Sequence, residues 1–211
     1  YMNHSAIEPV IRNMWLELHA RHEAGLADAQ PEVIFAGDSL TDIWQHQPSW
    51  NRDLGKYKPI NLGIGGDRTQ HLLWRLQHLK LPQAKLVSLL IGTNNIGRNT
   101  TEEIVDGIRA CRDEIRRQAP DTTILIQHLL PRQKHRSDPN YQQVLEVNRC
   151  MPSLVDGAGL VEADFSHVFQ IDGEAHLNYE HVLEDSVHFT SKGYDAWAKA
   201  IVPVIDQLLA S

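Results

Sequence analysis

Four short stretches of the 211-residue chain carry residue types that could do chemistry, and each leaves alternatives open on its own. In "VIFAGDSLTDIW" (33–44), Ser39 stands between an apolar run and a helical pattern. A serine there reads either as a helix N-cap or as a hydroxyl exposed at a strand end, with its own N–H among the helix's free donors. "GIGGDRT" (63–69) offers bare backbone N–H groups, and its Asp67 reads as the cap of the next helix. It is no dinucleotide loop, because Arg68 stands where the third glycine of G-x-G-x-x-G belongs. "IGTNNIG" (91–97) holds two adjacent asparagines, common in turns and also ready oxyanion donors. "EDSVHFTSKGYDAW" (184–197) sets Asp185 three residues before His188, with Ser191 reading as the cap of the last helix. A carboxylate so placed can orient an imidazole through one ring nitrogen and leave the other for proton transfer. A hydroxyl, backbone donors, an amide donor and an Asp–His pair together make up the machinery of acyl transfer.

Those stretches need a scaffold that gathers them, and hydrophobic patterning supplies one. Apolar runs at 33–37, 59–63, 85–92, 122–130 and, more weakly, 159–164 read as strands. Amphipathic segments near 40–46, 69–79, 101–118, 140–156 and 191–209 read as helices. A further helix is expected over 6–27, from Ile7, Val10, Ile11, Met14, Trp15 and Leu18. Regular alternation, with near-continuous apolar third and fourth strands, predicts a parallel sheet covered on both faces. The expected fold is α/β, a three-layer α/β/α sandwich with a five-stranded parallel sheet in the flavodoxin-like order 2-1-3-4-5. It is read as one domain over 1–211, with residues 1–30 a helical extension packed on it. The crevice then opens beyond the carboxyl ends of strands 1 and 3, where the chemistry-bearing loops emerge.

Bulk properties narrow the function classes. A net charge of −7 gives no basis for binding nucleic acid or an acidic membrane surface. No apolar run is long enough for a membrane span. The stretch "YMNHSAIEPVIRN" lacks the apolar core of a signal peptide, which tilts the expectation to the cytoplasm unless a leader has been removed. Cys111 and Cys150 read as reduced thiols on helices. His19 and His22 miss the H-E-x-x-H spacing, and most of the twelve histidines are read as solvated helix positions, so no metal and no cofactor is expected.

The four stretches together resemble the blocks of the SGNH (GDSL) hydrolases: "GDSL" at Ser39, the glycines ending at Gly66, "GTNN" with Asn94, and "DSVH" ending at His188. The resemblance runs from about Pro31 to the end of the chain. "NLGIGGDRTQHLLWRL" and "LLPR" are most similar to the branch of the platelet-activating-factor acetylhydrolase catalytic subunits. The resemblance implies Ser39 as nucleophile, His188 as general base and then acid, and Asp185 as the group that orients it. The oxyanion hole it implies comprises the N–H of Ser39, the N–H of Gly66 and the side-chain amide of Asn94. Leu40, Trp44, Ile64, Ile96 and Phe189, with Leu129, flank the blocks and are candidates to line a substrate pocket. The implied activity is hydrolysis of a small, short-chain acyl ester, acetyl first, through an acyl-enzyme. A carbohydrate O-acetyl esterase is the nearest alternative, followed by a thioesterase or lysophospholipase. A non-catalytic flavodoxin-like module binding an anion or nucleotide stands apart from these. The likeness also implies a homodimer.

Overall fold

The computed structural model describes residues 4–12, 14–171 and 176–211. Five strands, β1 (Val33–Gly37), β2 (Ile60–Gly63), β3 (Leu86–Leu90), β4 (Thr123–Gln127) and β5 (Leu160–Ala163), form one sheet in the order β2-β1-β3-β4-β5. All four pairings are parallel, with Ile34 opposite Ile60 and Val87, and Leu125 opposite Ser88 and Val161. Every residue of β1 and β3 is buried, as expected of strands whose side chains are apolar on both faces.

Strand order decides which helix lies on which face. The step from β1 to β2 runs in the opposite direction across the sheet to all later steps. Right-handed crossovers therefore send α2 (Ser39–Trp44) to one face and α3 (Thr69–Gln77), α4 (Thr101–Gln118) and α5 (Pro139–Arg149) to the other. The last helix, α6 (Ser191–Ala210), joins α2: Trp44 stacks on Trp197 with ring centroids 4.1 Å apart, and Tyr194 Oη donates to the Leu40 carbonyl. The sequence-based architecture is the observed one, with the strands and all but two of the helices falling within a few residues of the predicted spans.

Several local readings change. The expected N-terminal helix starts only at Trp15, giving α1 (Trp15–Leu26). Pro9 cannot donate to a helix, and Met14 turns the chain through a left-handed φ of 58°. Val10, Ile11 and Met14, three of the apolar residues whose spacing suggests that helix, lie ahead of it and are more than 60% exposed. The segment read as 140–156 stops at Arg149, and a short 3₁₀ turn, Met151–Leu154, carries Pro152. The caps shift by one residue: Asp38, not Ser39, caps α2, and Thr190, not Ser191, caps α6 by accepting the Gly193 N–H. Asp67 caps nothing; Arg68 occupies that position, and its N–H is taken by His71 Nδ1. His19 and His71 are buried rather than solvated.

Candidate active site

The turn from β1 into α2 is unusually close to its surroundings. A Cβ on Gly37 would lie 2.3 Å from Thr41 Oγ1, and one on Gly63 would lie 2.3 Å from the Asp42 nitrogen. Glycine at both places lets α2 descend onto the carboxyl ends of β1 and β2. Asp38 Oδ1 accepts the Leu40 N–H at 3.0 Å, which leaves Ser39 at the first helical position. Its N–H is one of the donors that helix geometry leaves unpaired. Ser39 Oγ lies 3.0 Å from His188 Nε2, and His188 Nδ1 lies 2.5 Å from Asp185 Oδ2.

The Asp–His turn is held from several sides. Asp185 Oδ1 accepts the N–H groups of Val187 and His188, both at 2.9 Å. Between them Ser186 adopts a left-handed φ of 61°; its carbonyl accepts the Gln133 N–H and its hydroxyl pairs with Tyr179 Oη. Desolvation pushes the Asp185 carboxyl up, yet the His188 hydrogen bond and the two backbone N–H groups outweigh it and hold it below the usual range. An ionised Asp185 fixes the proton on Nδ1 and leaves the Nε2 lone pair facing Ser39.

The glycine loop sits on the serine: a Cβ on Gly65 would meet Ser39 Cβ at 3.8 Å. Gly66 has φ 78°, and a Cβ there would strike the Arg12 guanidinium. Below the loop Asp67 is fully buried, receiving Arg75 Nε at 2.8 Å, Trp15 Nε1 at 2.9 Å and Arg12 Nη2. Arg12 Nη1 also donates to the Gly65 carbonyl at 2.8 Å. Burial pushes Asp67 up and Arg75 down, and their mutual attraction opposes both shifts. The Asp67 carbonyl accepts from Asn94 Nδ2 at 2.9 Å, engaging one amide hydrogen and leaving the second. Its neighbour Asn95 is wholly buried and structural, accepting the Thr69 N–H at 2.9 Å and donating to Gln70 and Asn99.

The structure thus joins Ser39, His188 and Asp185 in one hydrogen-bonded chain and ties Gly66 to Asn94 through Asp67. The apolar candidates are less open than a pocket lining. Trp44 has no exposed surface, and Phe189 stacks on Phe169 at 3.8 Å. Leu40, Ile64 and Ile96 are at most 5% exposed, and Leu129 is fully buried. Sequence reasoning missed Asp38 and the Arg12–Asp67–Arg75 network, because isolated charged residues in a pattern read as solvated. Asp38 is 1% exposed, its Oδ2 has no partner among the described residues, and desolvation lifts its carboxyl to about 7 against the Leu40 N–H. Two grooves of about 620 and 560 Å³ open at the amino end of the sheet, lined in part by Leu26–Gln30 and Ala119–Thr122, away from Ser39.

Comparison with known proteins places the chain among relatives of known family. The model of the GDSL-like Lipase/Acylhydrolase family matches residues 35–196. The human platelet-activating factor acetylhydrolase IB subunit alpha1 is 32% identical over 201 residues, spanning 93% of this chain and 84% of that protein. A GDSL-like lipase from Bacteroides thetaiotaomicron superimposes with a TM-score of 0.74 at 19% identity, covering 90% of this chain and 97% of the other. A carbohydrate esterase family 3 structure from Talaromyces cellulolyticus gives 0.65 at 20% identity, over 86% of this chain and 99% of the other.

Proposed function

The chain belongs to the GDSL-like lipase/acylhydrolase family and is a carboxylic ester hydrolase, and on that premise we propose that it cleaves short-chain acyl esters through an acyl-Ser39 intermediate. The observation that carries this reading is the unbroken chain from Ser39 Oγ to His188 Nε2 at 3.0 Å and from His188 Nδ1 to Asp185 at 2.5 Å.

In the first half-reaction His188 Nε2 takes the Ser39 proton as Oγ attacks the ester carbonyl. The carbonyl oxygen becomes an oxyanion received by the N–H groups of Ser39 and Gly66 and the second hydrogen of the Asn94 amide. His188 then gives its proton to the departing alcohol, and the acyl group stays on Ser39. Water repeats the sequence from the other side, with His188 as base and then acid, and releases the carboxylic acid. Asp185 stays ionised throughout, stabilises the imidazolium, and takes no proton.

Leu40 follows the serine directly and Ile64 precedes the glycine loop, and each is 3% exposed. We assign acyl-length selection to these two, with Ile96 beside Asn94; Trp44 and Phe189 support them from the aromatic core. The alpha1 relative's name, an acetylhydrolase, points to a short acyl group.

The test is a p-nitrophenyl ester series from acetate to octanoate, run on the wild-type protein and on Ser39→Ala. Turnover of acetate that declines with chain length and disappears in Ser39→Ala is expected. Undiminished hydrolysis by Ser39→Ala would overturn the assignment. Asn94→Ala should lower kcat by roughly 10²–10³, the usual loss of one oxyanion donor. A change under threefold would remove Asn94 from the hole.

A further inference from the structure

The loop after β4 is bonded to both halves of the site through two consecutive residues, and the reaction described above uses neither contact. Arg132 Nη1 donates to the Thr93 carbonyl at 2.6 Å and to the Thr93 hydroxyl at 3.2 Å. The Gln133 N–H donates to the Ser186 carbonyl at 3.1 Å, inside the Asp185–His188 turn. Among the described residues only four besides glycine have a left-handed φ, and two of them meet at this bond: Gln133 at 73° and Ser186 at 61°. Backbone strain of this kind persists only where the surroundings enforce it.

The carbonyl that Arg132 holds belongs to the peptide bond whose nitrogen is that of Asn94. A peptide is planar, so gripping its oxygen sets the axis about which Asn94 can swing. The same oxygen accepts the Ile96 N–H at 3.2 Å, closing the 3₁₀ turn Thr93–Asn95, and Arg132 takes its second lone pair. The far side of the turn is tied by Asn94 to the Asp67 carbonyl and by Asn95 to the Thr69 N–H. Gly92 enters the turn at φ 128°, so its near side hinges on the most permissive residue type unless Arg132 holds it. Desolvation pulls the Arg132 guanidinium down, and Asp138, Asp38 and Asp185 oppose that by facing it electrostatically. The cation is thus answered within its own chain, and its hydrogen bonds go to the third loop.

We propose that Arg132 is a positioning residue of the esterase, holding the Thr93–Asn94 peptide from a loop that is itself bonded to the Asp185–His188 turn. One two-residue brace thereby sets the spacing between the oxyanion amide and the base. This rests on the serine-esterase reading, in which Asn94 receives the oxyanion and His188 moves the proton. An amide misplaced by about 1 Å leaves the ester bound but meets the oxyanion poorly, so loss of the brace acts on kcat rather than KM. A planar guanidinium suits the task, because its nitrogens are rigid and one of them reaches carbonyl and hydroxyl together.

The experiment is a double-mutant cycle on p-nitrophenyl acetate with Arg132→Ala, Asn94→Ala and the two combined, each first shown to be folded by urea unfolding. Arg132→Ala should lower kcat about tenfold and leave KM within about twofold of wild type. In the Asn94→Ala background the same change should cost less than about twofold, because the amide it positions is gone. Arg132→Lys, which keeps the charge, should lose only about threefold, and it carries the cycle if Arg132→Ala does not fold. Where Asn94→Ala slows turnover, equal losses in the two backgrounds, no loss in wild type or an effect confined to KM would overturn the proposal. The side-chain amide resonances of Asn94, identified by their absence in Asn94→Ala, read its position without catalysis. In Ser39→Ala protein, Arg132→Ala should shift or broaden them, and an unmoved pair would overturn the brace. If Asn94→Ala leaves turnover intact, it is the oxyanion assignment that fails, and these resonances alone decide the brace.

Discussion

At the residue scale, position 38 shows how a side chain that does no chemistry still answers to the site. Asp38 caps α2 through Oδ1, but Oδ2 is buried without a partner, and burial holds the group at about 7. An unfolded aspartate titrates near 3.9. Between those values the folded protein keeps a proton that the unfolded chain releases, so this group's contribution to stability falls as pH rises from about 4 to about 7. Above that range the cost is complete. Asparagine caps equally well and carries no charge. Asp38→Asn should therefore exceed wild type in unfolding free energy by an amount that grows from pH 5 to pH 8. The ceiling is about 4 kcal/mol, at ~1.4 kcal/mol per pH unit. Urea unfolding at the two pH values measures it, and a difference that ignores pH would mean that Asp38 is not shifted.

At the scale of elements, patterning carried most of the fold, and the failures share one physical cause. β1 and α4 were legible to the residue, because continuous apolar runs and a 3.6-residue period depend on local sequence alone. The N-terminal arm was not, because its conformation is set by partners far along the chain. Arg12 is pulled toward Gly65 and Asp67, and the Val10 carbonyl is held by His71 Nε2. Likewise the four chemical blocks were legible by residue type, whereas the Asp67–Arg75 pair beneath them was hidden. A buried ion pair leaves no periodic trace. The arm holds the loop that carries Gly66, so under the proposed oxyanion-hole assignment Arg12 is a positioning residue. Arg12→Ala should lower kcat about tenfold, equivalent to ~1.4 kcal/mol of lost transition-state stabilisation, and change KM little. Arg12→Lys, a cation without the planar fork, should restore only part. Full activity in Arg12→Ala would show that the loop holds itself. On the opposite face, Trp44→Ala removes the ring stacked on Trp197 and should cost about 3–5 kcal/mol in denaturant unfolding.

At the scale of the whole molecule, the topology explains why one end of the sheet gathers the chemistry. The strand order reverses at β1, and the loops leaving β1, β2 and β3 open on one crevice, with the α6 entry completing it. The same compactness buries histidines in neutral form. His71 accepts the Arg68 N–H at Nδ1 and donates from Nε2 to Val10, and desolvation with the Arg12 charge lowers it to about 4. Desolvation and Arg75 lower His22 similarly. Unfolded histidine titrates near 6.5, so the unfolded chain binds protons first as pH falls. Stability from these groups is complete above 6.5 and lost toward 4, about 3 kcal/mol for His71 alone. Two histidines outweigh the opposing trend of Asp38. Unfolding free energy should thus rise between pH 4.5 and 6.5, and His71→Asn should flatten that slope. An unchanged slope would place the pH dependence elsewhere.

All of these expectations stand around one hydroxyl, and a fluorophosphonate reports on it without assuming any natural substrate. Intact-mass analysis after incubation should show one phosphonyl group per chain. Peptide mapping should put that group on Ser39, and labelling should vanish in Ser39→Ala and fall sharply in His188→Ala. No adduct on the folded wild-type protein, or an adduct on another residue, would contradict Ser39 as the nucleophile.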